Sequence, residues 1–125
     1  MGLVNSTFAG SWYPGTRKQI EAKLAEFAAQ VKKPQKLKKP PVAGVVPHAG
    51  WVYSGAVAYE VWANVAARKP DVVIMFGGHM QPFQRSVLFA DEGFATPLGP
   101  VHCHPEIVEG LAGAFLFKGA DAHSW

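Results

Sequence analysis

Val42-Ala43-Gly44-Val45-Val46-Pro47-His48-Ala49-Gly50 and, further on, Val72-Val73-Ile74-Met75-Phe76-Gly77-Gly78-His79 are written to one plan. Each is a short apolar run without polar alternation, the pattern of a strand buried on both faces. Each ends in a glycine-flanked turn that carries a histidine. Between them Val57, Ala58, Val61, Trp62 and Val65 recur at helical spacing, with Ser54 placed as the cap of that helix. Strand, helix, strand is a βαβ unit with a right-handed crossover, so the sequence predicts an α/β fold.

Outward from this unit, Thr16-Arg17-Lys18-Gln19 reads as a capping box. It opens a helix whose apolar stripe is Ile20, Leu24, Phe27, Ala28 and Val31, and Pro34 stops it. On the other side, residues 86–90 read as a further strand. Pro105 suits the first position of a third helix, with Glu106 and Glu109 near its positive end and Ile107, Val108, Leu111 and Phe115 inward.

The chain has 125 residues, 49% hydrophobic and 17% charged, a globular composition that excludes disorder as the main state. That length fits one domain and can bury roughly two thirds of the unfolded surface. No apolar run approaches the roughly 20 residues of a membrane helix. The first ten residues lack both the basic start and the apolar segment of a signal peptide. Cys103 is the only cysteine, which excludes an internal disulfide framework and fits a reducing, cytoplasmic setting. The net charge of +3 rests on Lys32, Lys33, Lys36, Lys38 and Lys39, without which the balance turns negative. That cluster, broken by Pro34 and closed by Pro40-Pro41, reads as a solvated linker over 32–41 rather than a surface for nucleic acid or membrane.

The βαβ reading gives His48 and His79 a shared address at the C-terminal ends of neighbouring parallel strands, where open α/β sheets bind their ligands. Two imidazoles there suit a divalent transition metal, or a general acid beside one; loop histidines that simply hydrogen-bond remain the plain alternative. A catalytic metal takes three protein ligands, so a pair is not a whole site. His102-Cys103-His104 has the look of a metal triplet, but polar residues ahead of Pro105 are also ordinary helix-cap chemistry. Trp51, Tyr53 and Ser54 lie close enough in sequence to line a crevice at His48, and Trp51 is equally explained as a core residue. No Gly-x-Ser-x-Gly elbow or phosphate-cradling glycine motif is present, which argues against hydrolase and nucleotide-binding readings.

Taken together, Ala9-Gly10-Ser11-Trp12-Tyr13-Pro14, Val46-Pro47-His48-Ala49-Gly50-Trp51-Val52-Tyr53-Ser54-Gly55, the segment ending Gly77-Gly78-His79, Thr96-Pro97-Leu98-Gly99 and His123-Ser124 resemble the Memo family. Its prokaryotic members are called the B protein of the AmmeMemoRadiSam system. The family in turn resembles class III extradiol ring-cleavage dioxygenases, non-haem iron enzymes. The resemblance implies a central, mostly parallel sheet flanked by helices, with His48 and His79 as metal ligands and His123 in the same cleft as a catalytic residue. It implies iron(II), with copper as the alternative metal, and an oxidoreductase of dioxygenase type acting on a small molecule. A non-catalytic module that keeps the fold and binds a peptide or partner protein is the rival reading. Two departures stand out: Asp121-Ala122 precede His123 where the family is more acidic, and Gly77-Gly78 replace the family's usual loop. Family members also run about twice as long, and the later half supplies the third ligand. Residues 1–125 are therefore expected to be the N-terminal part of one Memo-like domain, with an incomplete site and an exposed sheet edge that favours self-association.

Overall fold

The structure is a computed structural model that describes residues 2–31, 37–77, 88–89 and 91–112. The chain divides into two compact units, Thr7–Asp71 and Met1–Ser6 with Val72–Trp125.

In the first unit, a tight loop precedes the helices. Gly10 takes φ +85°, a left-handed conformation that suits glycine. That turn lets the Gly10 N–H donate to the Tyr13 carbonyl at 2.7 Å, while Ser11 and Trp12 N–H both donate to the Phe8 carbonyl. Helix α1 then runs Arg17–Gln30, with Thr16 as N-cap. The Thr16 hydroxyl accepts from the Gln19 N–H at 3.4 Å and donates to the Gln19 Oε1 at 3.0 Å, so the two residues of the predicted box do close on each other. Ile20 and Phe27 are the buried hydrophobic residues among those described. Leu24 is half-buried and Ala28 exposed, so the stripe narrows to its centre.

Helix α2 spans Trp51–Ala66 and is capped by Gly50, which offers no side chain. Ser54 is therefore not the cap that the sequence suggested. It lies buried inside the first turns, and its hydroxyl donates to the Ala49 carbonyl at 3.0 Å. The face of α2 that packs on α1 is also different: Ser54 and Gly55 are buried, whereas Val57 and Trp62 are exposed. Gly55 is the reason. Without a side chain there, the Phe27 ring lies directly on the backbone of α2, and an added Cβ would be 2.6 Å from the Phe27 Cε2. Trp51 and Tyr59 complete the cluster, with ring centroids 5.8 and 6.4 Å from that of Phe27.

Residues 42–46 belong to no helix or strand. They touch α2 through Gly44, where a Cβ would collide with the Val61 side chain. Of the 32–41 linker, residues 37–41 are described: Arg68 donates from Nη1 to the Pro40 carbonyl at 3.4 Å, and Lys38 and Lys39 are exposed.

The second unit carries a three-stranded sheet in the order β1 (Leu3–Val4), β2 (Gly93–Thr96), β3 (Gly99–His102). β1 lies parallel to β2, and β2 antiparallel to β3. The hairpin turns through Pro97 and Leu98, pinned by the Thr96 hydroxyl, which donates to the Gly99 carbonyl at 2.6 Å and accepts from the Leu98 N–H. Gly93 opposite His102 takes φ +153°, and a Cβ there would be 2.8 Å from the His102 Cα. Helix α3 is Pro105–Ala112, with Pro105 at its first position and Ile107, Val108 and Leu111 half-buried.

An α/β chain is thus present, but the expected mostly parallel sheet is corrected in two respects. Among the described residues the sheet is mixed, and neither 42–46 nor 72–76 is a strand. Apolarity alone does not make a strand; it needs a ladder partner, and neither run has one among the described residues. The predicted strand at 86–90 and the inward Phe115 lie wholly or largely outside the described residues. No described helix is long and apolar enough to cross a membrane.

Candidate functional site

The loop bearing His48 is braced from both sides. The first turn of α2 reaches back to it: Tyr53 and Ser54 N–H donate to the Gly50 carbonyl at 2.9 and 3.2 Å, and the Ser54 hydroxyl takes the Ala49 carbonyl. From the other side, the Trp12 carbonyl accepts from the Trp51 N–H at 2.8 Å. The Trp12-Tyr13 segment and the His48-Ala49-Gly50 segment, far apart in sequence, are thereby one structural element. A buried serine hydroxyl satisfied by a main-chain carbonyl leaves little freedom to residues 49–50. His48 immediately precedes these anchored residues and is itself exposed.

Trp51 turns away into the helical unit, where its ring meets Phe27 and, at 5.9 Å, Tyr13. Tyr53 is 87% exposed, with its ring edge over Gly50: a Cβ at Gly50 would be 3.9 Å from the Tyr53 Cδ2. His79 and His123 lie outside the described residues. Of the sequence-derived residues, Tyr53 and Ser54 stand beside the loop of His48, whereas the Trp51 ring packs against Phe27 and Tyr13.

Two features of this region escaped the sequence reading. One is the carbonyl brace from Trp12, which no side-chain pattern announces. The other is an apolar groove of about 440 Å³ along α1 and α2, lined by Leu24, Phe27, Trp51, Tyr59, Trp62 and neighbouring alanines. A glycine at position 55, inside the first turns of an apolar helix, is the available signal of close approach in this groove.

The other candidate ligands do not converge. No three His, Cys, Asp or Glu side chains among the described residues are placed to hold one ion. In the 102–104 triplet His102 and His104 are exposed, and the His102 Nδ1 lies 3.8 Å from the Glu92 Oε1. Cys103 is half-buried; burial, helped by the nearby Asp91 charge, pushes its thiol above the ordinary value. Such a thiol is less readily the thiolate a metal needs. Among the described residues His48, His102 and His104 are all exposed, and His48 is the one beside a loop braced by hydrogen bonds at residues 49–51.

A family model of Memo-like proteins matches residues 5–124. A MEMO1 family protein of Aeropyrum pernix is 34% identical over 115 residues, covering 85% of this chain and 41% of the relative. A MEMO1 family protein of Methanococcoides burtonii is 29% identical over 95% of this chain and 43% of the relative. The human protein MEMO1 is 32% identical over 74% of this chain and 31% of its own length. The chain spans well under half the length of these curated relatives.

Proposed function

Because this chain belongs to the Memo family, we propose that it is a cytoplasmic metal-binding protein with His48 and His79 as ligands. The fold of which it forms part is dioxygenase-like, and the role that follows is that of a non-haem iron oxidoreductase acting on a small molecule. The observation that supports this best is the construction of the His48 loop. Four hydrogen bonds fix Ala49, Gly50 and Trp51 against α2 and the Trp12 segment, and His48 beside them is exposed. Holding a ligand's backbone still lowers the ordering cost of coordination. A bound iron(II) or copper would supply Lewis-acid or redox chemistry at its open positions. The chain's own contribution is to orient His48, to hold Tyr53 beside the same loop, and to offer His123 as the acid–base residue.

Equilibrium dialysis of the whole chain against iron(II) without oxygen, and against copper(II), tests this reading. Removing an outer-shell partner of a metal ligand costs about 10- to 100-fold in affinity, so His48→Ala and His79→Ala should each cost at least that much. His123→Ala should leave binding intact. Equal binding by wild type and both alanine variants would refute the ligand assignment.

The apolar groove along α1 and α2 favours a second reading, a module that binds a peptide or partner protein without chemistry. Leu24, Phe27, Tyr59 and Trp62 present the kind of surface an apolar side chain enters. Metal-dependent oxygen uptake separates the enzyme from the module. Peptide binding that survives a chelator and is lost in Trp62→Ala favours the module.

A further inference from the structure

We propose that Ser54 and the turn over residues 8–15 are a positioning device for His48, holding the residues that follow it from opposite sides so that it is placed for a divalent transition metal. The inference deepens the metal-ligand reading and rests on it. All of its parts lie within the unit Thr7–Asp71.

Ser54 is the buried polar side chain among the described residues. A hydroxyl hidden from water costs free energy unless it is hydrogen-bonded. Serines inside helices ordinarily bond a carbonyl three or four residues back, within the helix itself. Here the hydroxyl donates five residues back, to the Ala49 carbonyl, which lies outside α2 and next to His48. The bond therefore orders the loop and not the helix. Gly50 and Trp51 are held in turn, the first by its carbonyl and the second by its N–H. Each of the three residues after His48 thus has one main-chain group fixed.

Trp12 can serve as the outer anchor because its own turn is closed. The Phe8 carbonyl accepts from the Ser11 N–H, the Trp12 N–H and the Ser11 hydroxyl, at 3.0 to 3.1 Å. The Phe8 and Trp12 rings pack with centroids 5.2 Å apart. Gly10, at φ +85°, makes the closure possible, and Gly15 seals it: a Cβ at Gly15 would be 3.2 Å from the Gly10 Cα. The turn also touches the loop, since a Cβ at Gly50 would be 3.4 Å from the Trp12 carbonyl oxygen. At Gly10 an added Cβ meets no described atom within 4 Å, so a substitution there acts through the backbone conformation alone. Gly10 therefore governs the placing of His48 through the Trp12 carbonyl. Such support lowers the ordering cost when a ligand residue takes up a metal.

The test compares the whole chain with Ser54→Ala, Gly10→Val, Gly10→Asn, His48→Ala and Thr16→Ala. Asn tolerates the left-handed region, whereas a β-branched residue does not. Thr16→Ala is the control for stability, because the Thr16 side chain bonds only Gln19 within the α1 cap. Exchange of the Trp51 N–H should speed by about tenfold in Gly10→Val and stay unchanged in Gly10→Asn. Equilibrium dialysis against copper(II) should show affinity lost in His48→Ala. In Ser54→Ala and Gly10→Val it should fall about tenfold, the lower end of the cost of disturbing the groups that orient a ligand. Gly10→Asn should restore it, and Thr16→Ala should leave it intact although its denaturation midpoint drops. If Gly10→Val does not fold, Ser54→Ala carries the same affinity readout. Wild-type affinity in Ser54→Ala, beside a loss in His48→Ala, overturns the positioning role alone. So does affinity that falls in Thr16→Ala in step with its midpoint. Copper binding indifferent to His48→Ala overturns the ligand reading and this proposal with it.

Discussion

Gly55 carries more of the helical unit than its size suggests. Glycine inside a helix ordinarily costs about 1 kcal/mol relative to alanine. Here that rule is reversed by Phe27, whose ring occupies the space a methyl group would need. Gly55→Ala should therefore destabilise the protein by about 1–3 kcal/mol in urea denaturation, the range for overpacking. Gly110→Ala, on α3 where an added Cβ meets no described atom within 4 Å, should instead be neutral or mildly stabilising. Equal effects at the two positions would mean that propensity and not the Phe27 contact governs Gly55. The Cys103 thiol offers a second check at this scale. Burial first and Asp91 second hold it protonated, so folding opposes its ionisation, and stability declines as pH rises through the unfolded and then the folded value. Iodoacetamide should alkylate Cys103 at pH 8 more slowly than it does free cysteine, and Asp91→Asn should speed the reaction modestly.

At the scale of elements, helices were legible and strands were not. α1 announced itself through Thr16 and Gln19 and through Ile20, Leu24 and Phe27 at turn-by-turn spacing, all of them local signals. α3 was placed by Pro105. α2 is legible, but a serine resembles a cap more than a glycine does, so the sequence puts the cap at Ser54, four residues after Gly50; the serine instead binds the carbonyl behind it. The runs at 42–46 and 72–76 look like strands in composition, yet strandhood depends on a partner that no local pattern contains. The converse error is the hairpin of β2 and β3. Its register rests on Gly93 against His102 and on the Thr96 hydroxyl across the turn, with little apolar alternation to announce it. At the site, His48 beside a helix start was readable from Pro-His-Ala-Gly, whereas the Trp12 brace was not, since a carbonyl leaves no mark in the sequence. Thr16→Ala should lower stability by about 1 kcal/mol through loss of the α1 cap, measurable as a reduced denaturation midpoint. An unchanged midpoint would mean that the cap contributes nothing against water.

The described residues expose apolar side chains at 42–46 and 72–76, Val45 at 93% and Phe76 at 90%. On its own the chain should associate as concentration rises, through 42–46, 72–76 and the outer edge of β3, where Val101 is 58% exposed. Light scattering over a concentration series should show mass increasing, and Val73→Asp should suppress the increase; a strictly monomeric chain throughout would contradict this. The metal reading has a sharper spectroscopic test. Copper(II) added at one equivalent should give a pulsed electron paramagnetic resonance spectrum with modulation from two coordinated imidazoles, falling to one in His48→Ala and likewise in His79→Ala. Copper bound without imidazole modulation, or modulation unchanged in both variants, would contradict the assignment of these two histidines as ligands.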